Sequence, residues 1–262
     1  MIKNRFKFVI VIMIIIGLLI SVQAFCSLTK KDIQKLNNSL IFDLFVNYEL
    51  AVKNGNLVTI IDFLPNLNVI DFKVIKLTSN VGGENQVCDF SFNKNGAIGK
   101  INYEVNDKIY RYEFIYSGTQ LASINIAGKP KIILIYDKKG RLLTITREKG
   151  GGAFEYNFEY LDGENKANIK LIVIQGEKRS PSKRKYNVSW DRELKLESYC
   201  IDAFCSKNIK YTSKGDLLSY SFASVNEDNN IVNWVYSGFD EKQNWVERKS
   251  NDILFSRTIE YK

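Results

Sequence analysis

One stretch of this sequence has the pattern of a strand, a tight turn and the start of a second strand. It is Ile133-Leu134-Ile135-Tyr136-Asp137-Lys138-Lys139-Gly140-Arg141-Leu142. An apolar run ends on an aromatic residue, polar residues follow, and a glycine comes shortly before the next apolar residue. Glycine readily adopts the positive φ that a tight hairpin requires. The stretch therefore predicts a β-hairpin whose turn is closed by Gly140.

The same phrase recurs along the chain. Gly96, Gly118 and Gly140 are spaced 22 residues apart, twice in succession, and a fixed period of this length indicates a repeat architecture. Later copies of the phrase match it less closely but extend the series, and asparagine can replace the glycine where φ must be positive. The residues predicted to close the repeat turns are Gly96, Gly118, Gly140, Gly163, Gly215 and Asn244. About seven hairpins then follow one another, each too small to be stable alone.

Side chains alternate between the two faces of a strand. Tyr110, Tyr112 and Phe114 should point to one face, and Arg111 and Glu113 to the other. The sequence therefore predicts a mainly β protein, a meandering antiparallel hairpin-repeat sheet over residues 69–262 that is curved or partly wound. Its strands should carry one aromatic face and one charged face.

A short helical head is expected before the sheet, within residues 25–68. Thr29 followed by Asp32 fits a capping box. Ile33, Leu36 and Leu40 continue at intervals of three and four residues, which is the spacing of one helix face. The pattern predicts a helix from Thr29 to about residue 53.

The first 24 residues have the pattern of a secretory signal. Three basic residues precede an apolar run over residues 8–20, and Val22-Gln23-Ala24 offers small residues for cleavage after Ala24. Export to the periplasm or the cell surface is therefore predicted, and cleavage would lower the formal net charge from +8 to +5. An uncleaved anchor helix and a lipid anchor on Cys26 are the alternatives.

Four cysteines follow the predicted cleavage site. An even number in an exported chain indicates two disulfides, with three pairings open. Cys200 and Cys205 are spaced to meet across a tight turn, which leaves Cys26 for Cys88. Free buried thiols are the alternative.

The phrases Tyr136-Asp137-Lys138-Lys139-Gly140-Arg141-Leu142 and Tyr211-Thr212-Ser213-Lys214-Gly215-Asp216-Leu217 resemble the YD repeats, or Rhs-type repeats, of bacterial surface and secreted proteins. The closing phrase that begins at Phe239-Asp240 is similar to the ends of small exported YD-like proteins. The resemblance covers about residues 86–262. It implies a hairpin architecture and an extracytoplasmic setting rather than an activity.

The sequence predicts no catalytic site, no cofactor and no metal site. It contains no histidine, the usual general base for serine and cysteine nucleophiles. Carboxylates such as Asp137, Asp162, Asp191 and Asp240 could serve a glycoside hydrolase, but each lies where a turn favours aspartate. A carboxylate-only hydrolase is therefore the less favoured alternative.

Binding is the predicted function, with another protein or an envelope polymer as the partner. Trp190, Trp234 and Trp245 are the candidate contact residues, although large aromatic residues also cover the buried face of a sheet. The basic run over residues 178–185 is interpreted as a solvated turn, and neither nucleic acid nor membrane insertion of the mature chain is expected. An immunity or accessory protein that neutralises an envelope-delivered toxin is the alternative.

Overall fold

The computed structural model describes residues 28–46, 72–81, 84–126, 129–161, 165–183, 186–201, 204–213, 216–223, 230–250 and 253–262. The predicted signal segment, Cys26, Gly163 and Gly215 lie outside these ranges. A helix, α1 (Lys30–Asn38), continues directly into a π-helical segment, π1 (Ser39–Val46). None of the described helical segments is both long and apolar enough to cross a membrane.

The described residues form eighteen strands, and all of them belong to one sheet. Their bounds are β1 (Phe72–Val81), β2 (Glu84–Phe92), β3 (Ile98–Val105), β4 (Lys108–Ser117), β5 (Gln120–Ile126), β6 (Lys129–Tyr136), β7 (Leu142–Lys149), β8 (Gly152–Tyr160), β9 (Lys166–Gln175), β10 (Lys178–Pro181), β11 (Tyr186–Trp190), β12 (Leu196–Ile201), β13 (Phe204–Tyr211), β14 (Leu217–Ala223), β15 (Asn230–Asn233), β16 (Val235–Phe239), β17 (Trp245–Ser250) and β18 (Ile253–Tyr261).

The strands follow one another as an antiparallel meander, and the sheet curls until its ends meet. The first strand pairs with β2 on one side and with β18 on the other, for example Lys76 opposite Asp89 and opposite Thr258. β10 and β11 both pair with β9, so they act as two segments of one strand position. The mainly antiparallel fold class is confirmed, and the sheet is nearly closed and barrel-like.

The core lies inside this barrel-like sheet. Along β4, Tyr112 and Phe114 are buried whereas Arg111 and Glu113 are exposed. The predicted aromatic face is thus the inner face. Burying these side chains removes their apolar area from water, which is the main force that stabilises a closed sheet.

The helical head packs into the same core. The predicted capping box is present, with Thr29 and Asp32 bonding each other's side chain and backbone. Phe42 packs on Phe114 with ring centroids 5.6 Å apart, and Phe45 packs on Tyr156 at 5.5 Å. The apolar face of α1 and π1 therefore covers inner-face aromatic residues of β4 and β8.

Candidate binding surface

Five of the described hairpin turns at one end of the sheet share one geometry, in which a side-chain oxygen holds a five-residue turn. In the β6–β7 turn, Asp137 Oδ1 accepts hydrogen bonds from the backbone N–H groups of Lys139 and Arg141, both at 2.9 Å. The backbone N–H of Asp137 also donates to Arg141 O, at 2.8 Å. The turns with this backbone closure begin at Asn93, Asp137, Asp191, Thr212 and Asp240. We call this end of the sheet the Asx end.

Positive φ occurs at the fourth residue of these turns, at Gly96 (79°), Gly140 (84°), Leu194 (63°) and Gln243 (62°). The predicted position in the last hairpin, Asn244, needs correction, because the left-handed residue is Gln243. Asn244 instead donates its backbone N–H to Asp240 Oδ1. Gly118 also has positive φ, at 63°, although its turn lacks the Asx oxygen.

Several strands that run into the Asx end carry a tyrosine at or next to their last residue, and its hydroxyl donates to a backbone carbonyl near the start of an earlier strand. Tyr136 Oη donates to Leu121 O at 2.7 Å, and Tyr160 Oη donates to Leu142 O at 2.8 Å. Tyr116 bonds Ile98 O in the same way at 2.9 Å. Each accepting carbonyl lies at the start of a strand, beside a bulge that shifts the register. Burial raises the pKa of Tyr136 to about 12.

The three tryptophans that were candidate contact residues point into the core. Trp190, Trp234 and Trp245 are each 3% exposed, so they line no groove on the surface of the folded chain. Trp190 continues the inward alternation of Tyr186 and Val188 along β11, so the regular alternation of the strand places it in the core.

Buried arginines cover two of these tryptophans. The Arg248 guanidinium lies over the ring of Trp234, 4.5 Å from its centroid, and the Arg257 guanidinium lies 3.8 Å from that of Trp245. The indole Nε1 of Trp245 donates to Asp216 Oδ1 at 3.0 Å. Burial lowers the pKa of Arg257 to about 10, a value that keeps it charged at neutral pH. This cation–π cluster fills the core near the last hairpins.

The Cys200–Cys205 disulfide is present, and it links directly opposed residues of β12 and β13. Cys88 is a free thiol, 2% exposed, and burial raises its pKa. Cys26, its predicted partner, lies outside the described residues. Within the described ranges the structure therefore agrees with the alternative of a buried thiol at Cys88.

The acidic residues considered for hydrolysis are separated in different turns. Asp137, Asp191 and Asp240 each use Oδ1 to hold the backbone of their own hairpin. Asp162 lies outside the described ranges. Among the residues that the structure describes, no group of three or more His, Cys, Asp or Glu side chains could hold a metal ion.

Exposed apolar side chains lie near one another on the outer face of β4, β6 and β7. Ile115, Ile133, Ile135 and Leu143 are between 38% and 50% exposed. The register places Ile115 and Ile133 on either side of Ser123, and Ile133 opposite Thr146. We call this set of four residues on β4, β6 and β7 the outer strip.

Sequence reasoning missed the outer strip, although a signal for it exists. The run from Ile132 to Ile135 is apolar at every position. Ile132 and Leu134 are buried, so Ile133 and Ile135 must face outward. A strand that is apolar on both faces is either buried on both faces or carries an apolar outer surface.

Comparison with known proteins identifies no family. No family model matches the chain, and no curated protein matches it. Among solved structures, a porin-like protein from Bacteroides uniformis ATCC 8492 is similar with a TM-score of 0.48 and 14% identity, over 72% of this chain and 98% of that chain. The TcdB2-TccC3-TEV structure is similar with a TM-score of 0.30 and 9% identity, over 63% of this chain and 11% of that chain.

Proposed function

We propose that this chain is an exported, non-catalytic binding protein of the YD-repeat type, which binds another protein through the outer strip. The observation that carries the proposal is the exposure of Ile115, Ile133, Ile135 and Leu143 on β4, β6 and β7, where only β5 separates Ile115 from Ile133. Large aliphatic groups that stay in water together mark interaction sites more often than isolated ones do.

The composition of the outer strip favours a protein as the partner. Its centre combines aliphatic side chains with the uncharged Ser123 and Thr146, while Glu113 lies beside it on β4. A centre depleted in charge with a polar rim is typical of protein interfaces. An envelope polymer is the less favoured partner, because the three tryptophans that could stack on sugar rings are buried.

Three further observations support the YD-repeat assignment, export and the non-catalytic role. The turn that begins at the aspartate of Tyr136-Asp137 recurs at Phe239-Asp240 with the same backbone bonds, which supports the YD-repeat assignment. The Cys200–Cys205 disulfide suits an oxidising compartment and so supports export. The carboxylates of Asp137, Asp191 and Asp240 are engaged in turns, which supports a non-catalytic role.

Paired substitutions test the outer strip. Ile133→Asp with Ile135→Asp should abolish capture of a specific protein from envelope extract, measured by cross-linking and mass spectrometry. The matched control is Ile231→Asp with Val235→Asp, since these residues are 67% and 66% exposed on other strands. The control should capture the same protein as the unchanged chain. Equal capture by both double variants, or no specific capture by the unchanged chain, would contradict the proposal.

A further inference from the structure

Three polar side chains are buried together inside the sheet, at the end of β17 and beside the cation–π cluster. Arg248 and Trp234 are each 3% exposed, and Ser250 is 4% exposed. Arg248 and Ser250 are two residues apart on β17, so their side chains point to the same, inner face. We call these three residues the inner polar group.

The strand register brings the inner polar group together. Val235 on β16 lies opposite Lys249 on β17. Because Trp234 precedes Val235 and Ser250 follows Lys249, Trp234 and Ser250 face each other in the same register. The Arg248 guanidinium lies 4.5 Å from the centroid of the Trp234 ring, and the indole N–H belongs to that ring. Three donor groups therefore meet in one small region of the core.

Two of these groups have unsatisfied hydrogen-bonding capacity. Trp234 Nε1 and Ser250 Oγ have no hydrogen-bond partner within the part of the chain that the structure describes. A buried donor without an acceptor costs free energy, so native structures pair nearly all such groups with protein, water or a bound ligand. One acceptor group bound between them would satisfy both.

The charge of the surrounding core favours a negatively charged acceptor. Among the described residues, the buried charged side chains are Arg147, Arg248 and Arg257, with no aspartate or glutamate. Arg248 and Arg257 share the ring of Trp245, at 5.0 and 3.8 Å from its centroid, so two positive charges lie close together. The carboxylate of Asp216 already accepts from Trp245 Nε1. Because buried charges are normally paired, an added anion would be stabilised here.

The packing of Arg248 indicates the chemistry of that anion. The rings of Trp234, Trp245 and Phe255 all lie between 4.5 and 5.0 Å from its guanidinium. These rings limit the size of any group that reaches the guanidinium N–H groups. A carboxylate is flat, and it accepts two parallel hydrogen bonds from a guanidinium. Its oxygens can also accept from an indole N–H and a hydroxyl.

We propose that the inner polar group binds the carboxylate of a small ligand inside the barrel-like sheet. The carboxylate accepts hydrogen bonds from the Arg248 guanidinium, Trp234 Nε1 and Ser250 Oγ. Ser250 is the last residue of β17, so the ligand enters at the end of the sheet opposite the Asx end. The site is separate from the outer strip and needs no protein partner, so it is independent of the proposed function.

The test is a titration of the purified, dialysed protein with sodium acetate, with sodium chloride at the same ionic strength as the reference. Acetate should change the intrinsic tryptophan fluorescence along a saturable curve, because Trp234 is part of the site. At about ten times its Kd, acetate should raise the thermal unfolding midpoint by about 4 °C relative to chloride.

Ser250→Ala and Ser206→Ala are the matched variants. Ser206 is 1% exposed on β13, and its hydroxyl also has no partner among the described residues, but it lies outside the inner polar group. Without acetate, neither variant should lower the thermal midpoint, because each removes a hydroxyl that has no partner. Ser250→Ala should weaken acetate binding about tenfold, and Ser206→Ala less than about twofold.

Three results would overturn the proposal. The first is a response to acetate that is absent or equal to the response to chloride, as expected if only water occupies the site. The second is equal weakening of acetate binding by Ser250→Ala and Ser206→Ala. The third is tighter binding of inorganic phosphate than of acetate, which would contradict a site shaped for a carboxylate.

Discussion

At the Asx end, five of the described hairpins turn through five residues held by a side-chain oxygen, whereas the turns that the structure describes at the opposite end run through two residues. We call the latter the tight-turn end. Its two-residue turns include Asn106-Asp107, Gly150-Gly151 and Gly176-Glu177, with positive φ at Asn106 (50°), Asp107 (59°) and Gly150 (58°). The difference shows that the periodic phrase in the sequence encodes one end of the sheet.

The Asx end also carries the helical head, through Asn37 and its bonds to the β6–β7 hairpin. In five Asx-end turns a side chain therefore bonds the backbone, and the β6–β7 turn also connects the sheet to α1. The tight-turn end has a covalent link instead, at Cys200–Cys205. Substitutions of the same kind at the two ends should have different effects.

The largest effect is expected from Gly140→Val. A β-branched residue resists a φ of +84°, and the new side chain would meet Gln120 and Ile33. The free energy of unfolding should fall by about 3 kcal/mol. Gly150→Val is the matched variant at the tight-turn end, where no atom lies within 4 Å of an added Cβ, and about 2 kcal/mol is expected there. Urea unfolding measures both values, and equal losses would contradict the difference between the ends.

The disulfide should provide the next largest effect. Replacing Cys200 and Cys205 together by serine should lower the free energy of unfolding by about 2 kcal/mol, because the link closes a short loop. Non-reducing mass spectrometry should find this link with Cys88 as a free thiol. A free thiol at Cys200 in the folded protein would refute the covalent link at the tight-turn end.

Aspartate should matter only where its side chain holds the turn. Asp137→Gly should cost about 1.5 kcal/mol, since two backbone N–H groups lose their acceptor. Asp107→Gly should change stability by less than about 0.5 kcal/mol, because glycine suits the positive φ at that position. Chemical denaturation of the two variants compares the ends directly, and a similar loss at both positions would remove the distinction.

The side chain of Asp137 should also make the stability of the protein depend on pH under acid conditions. Burial disfavours the charged form of Asp137, but the hydrogen bonds and charge of Arg141 outweigh it, so its pKa lies below the ordinary value of 3.8. Its contribution is therefore complete above the unfolded-state pKa and is lost as pH falls through the depressed folded-state pKa. Asp137→Asn should flatten the stability profile below about pH 4. If the variant lost stability below about pH 4 as steeply as the unchanged chain does, Asp137 would not be the cause of the acid sensitivity.

A smaller effect is expected from the tyrosines. Tyr136→Phe should cost about 1 kcal/mol, because Leu121 O loses its donor while the ring stays packed. The raised pKa of about 12 also means that the Tyr136 contribution persists below the ordinary value of 10 and is lost as pH rises toward 12. Urea unfolding at pH 7 and pH 11 tests this. A loss near zero at pH 7 would show that water satisfies that carbonyl equally well.

Local features of the fold were accessible from the sequence. The capping box at Thr29 and the alternation along β4 depend on residues within a few positions of one another. The disulfide joins residues separated by five positions. Short-range chemistry of this kind decides each of them before any tertiary contact is made.

Features that depend on the register of the strands could not be predicted from the sequence in the same way. The positive φ lies at Gln243 instead of Asn244. This is a displacement of one residue, which a pattern of residue types does not specify. The pairing of β1 with β18 joins residues nearly 190 positions apart, as for Phe72 and Tyr261.

That pairing is the central claim, and a cross-link tests it most directly. Lys76→Cys with Thr258→Cys places thiols on directly opposed residues of β1 and β18. A short bifunctional thiol reagent should join them in the folded protein as completely as it joins Thr146→Cys with Glu155→Cys, an opposed pair on β7 and β8. Efficient cross-linking of the β7–β8 pair with none between β1 and β18 would show that the sheet is open.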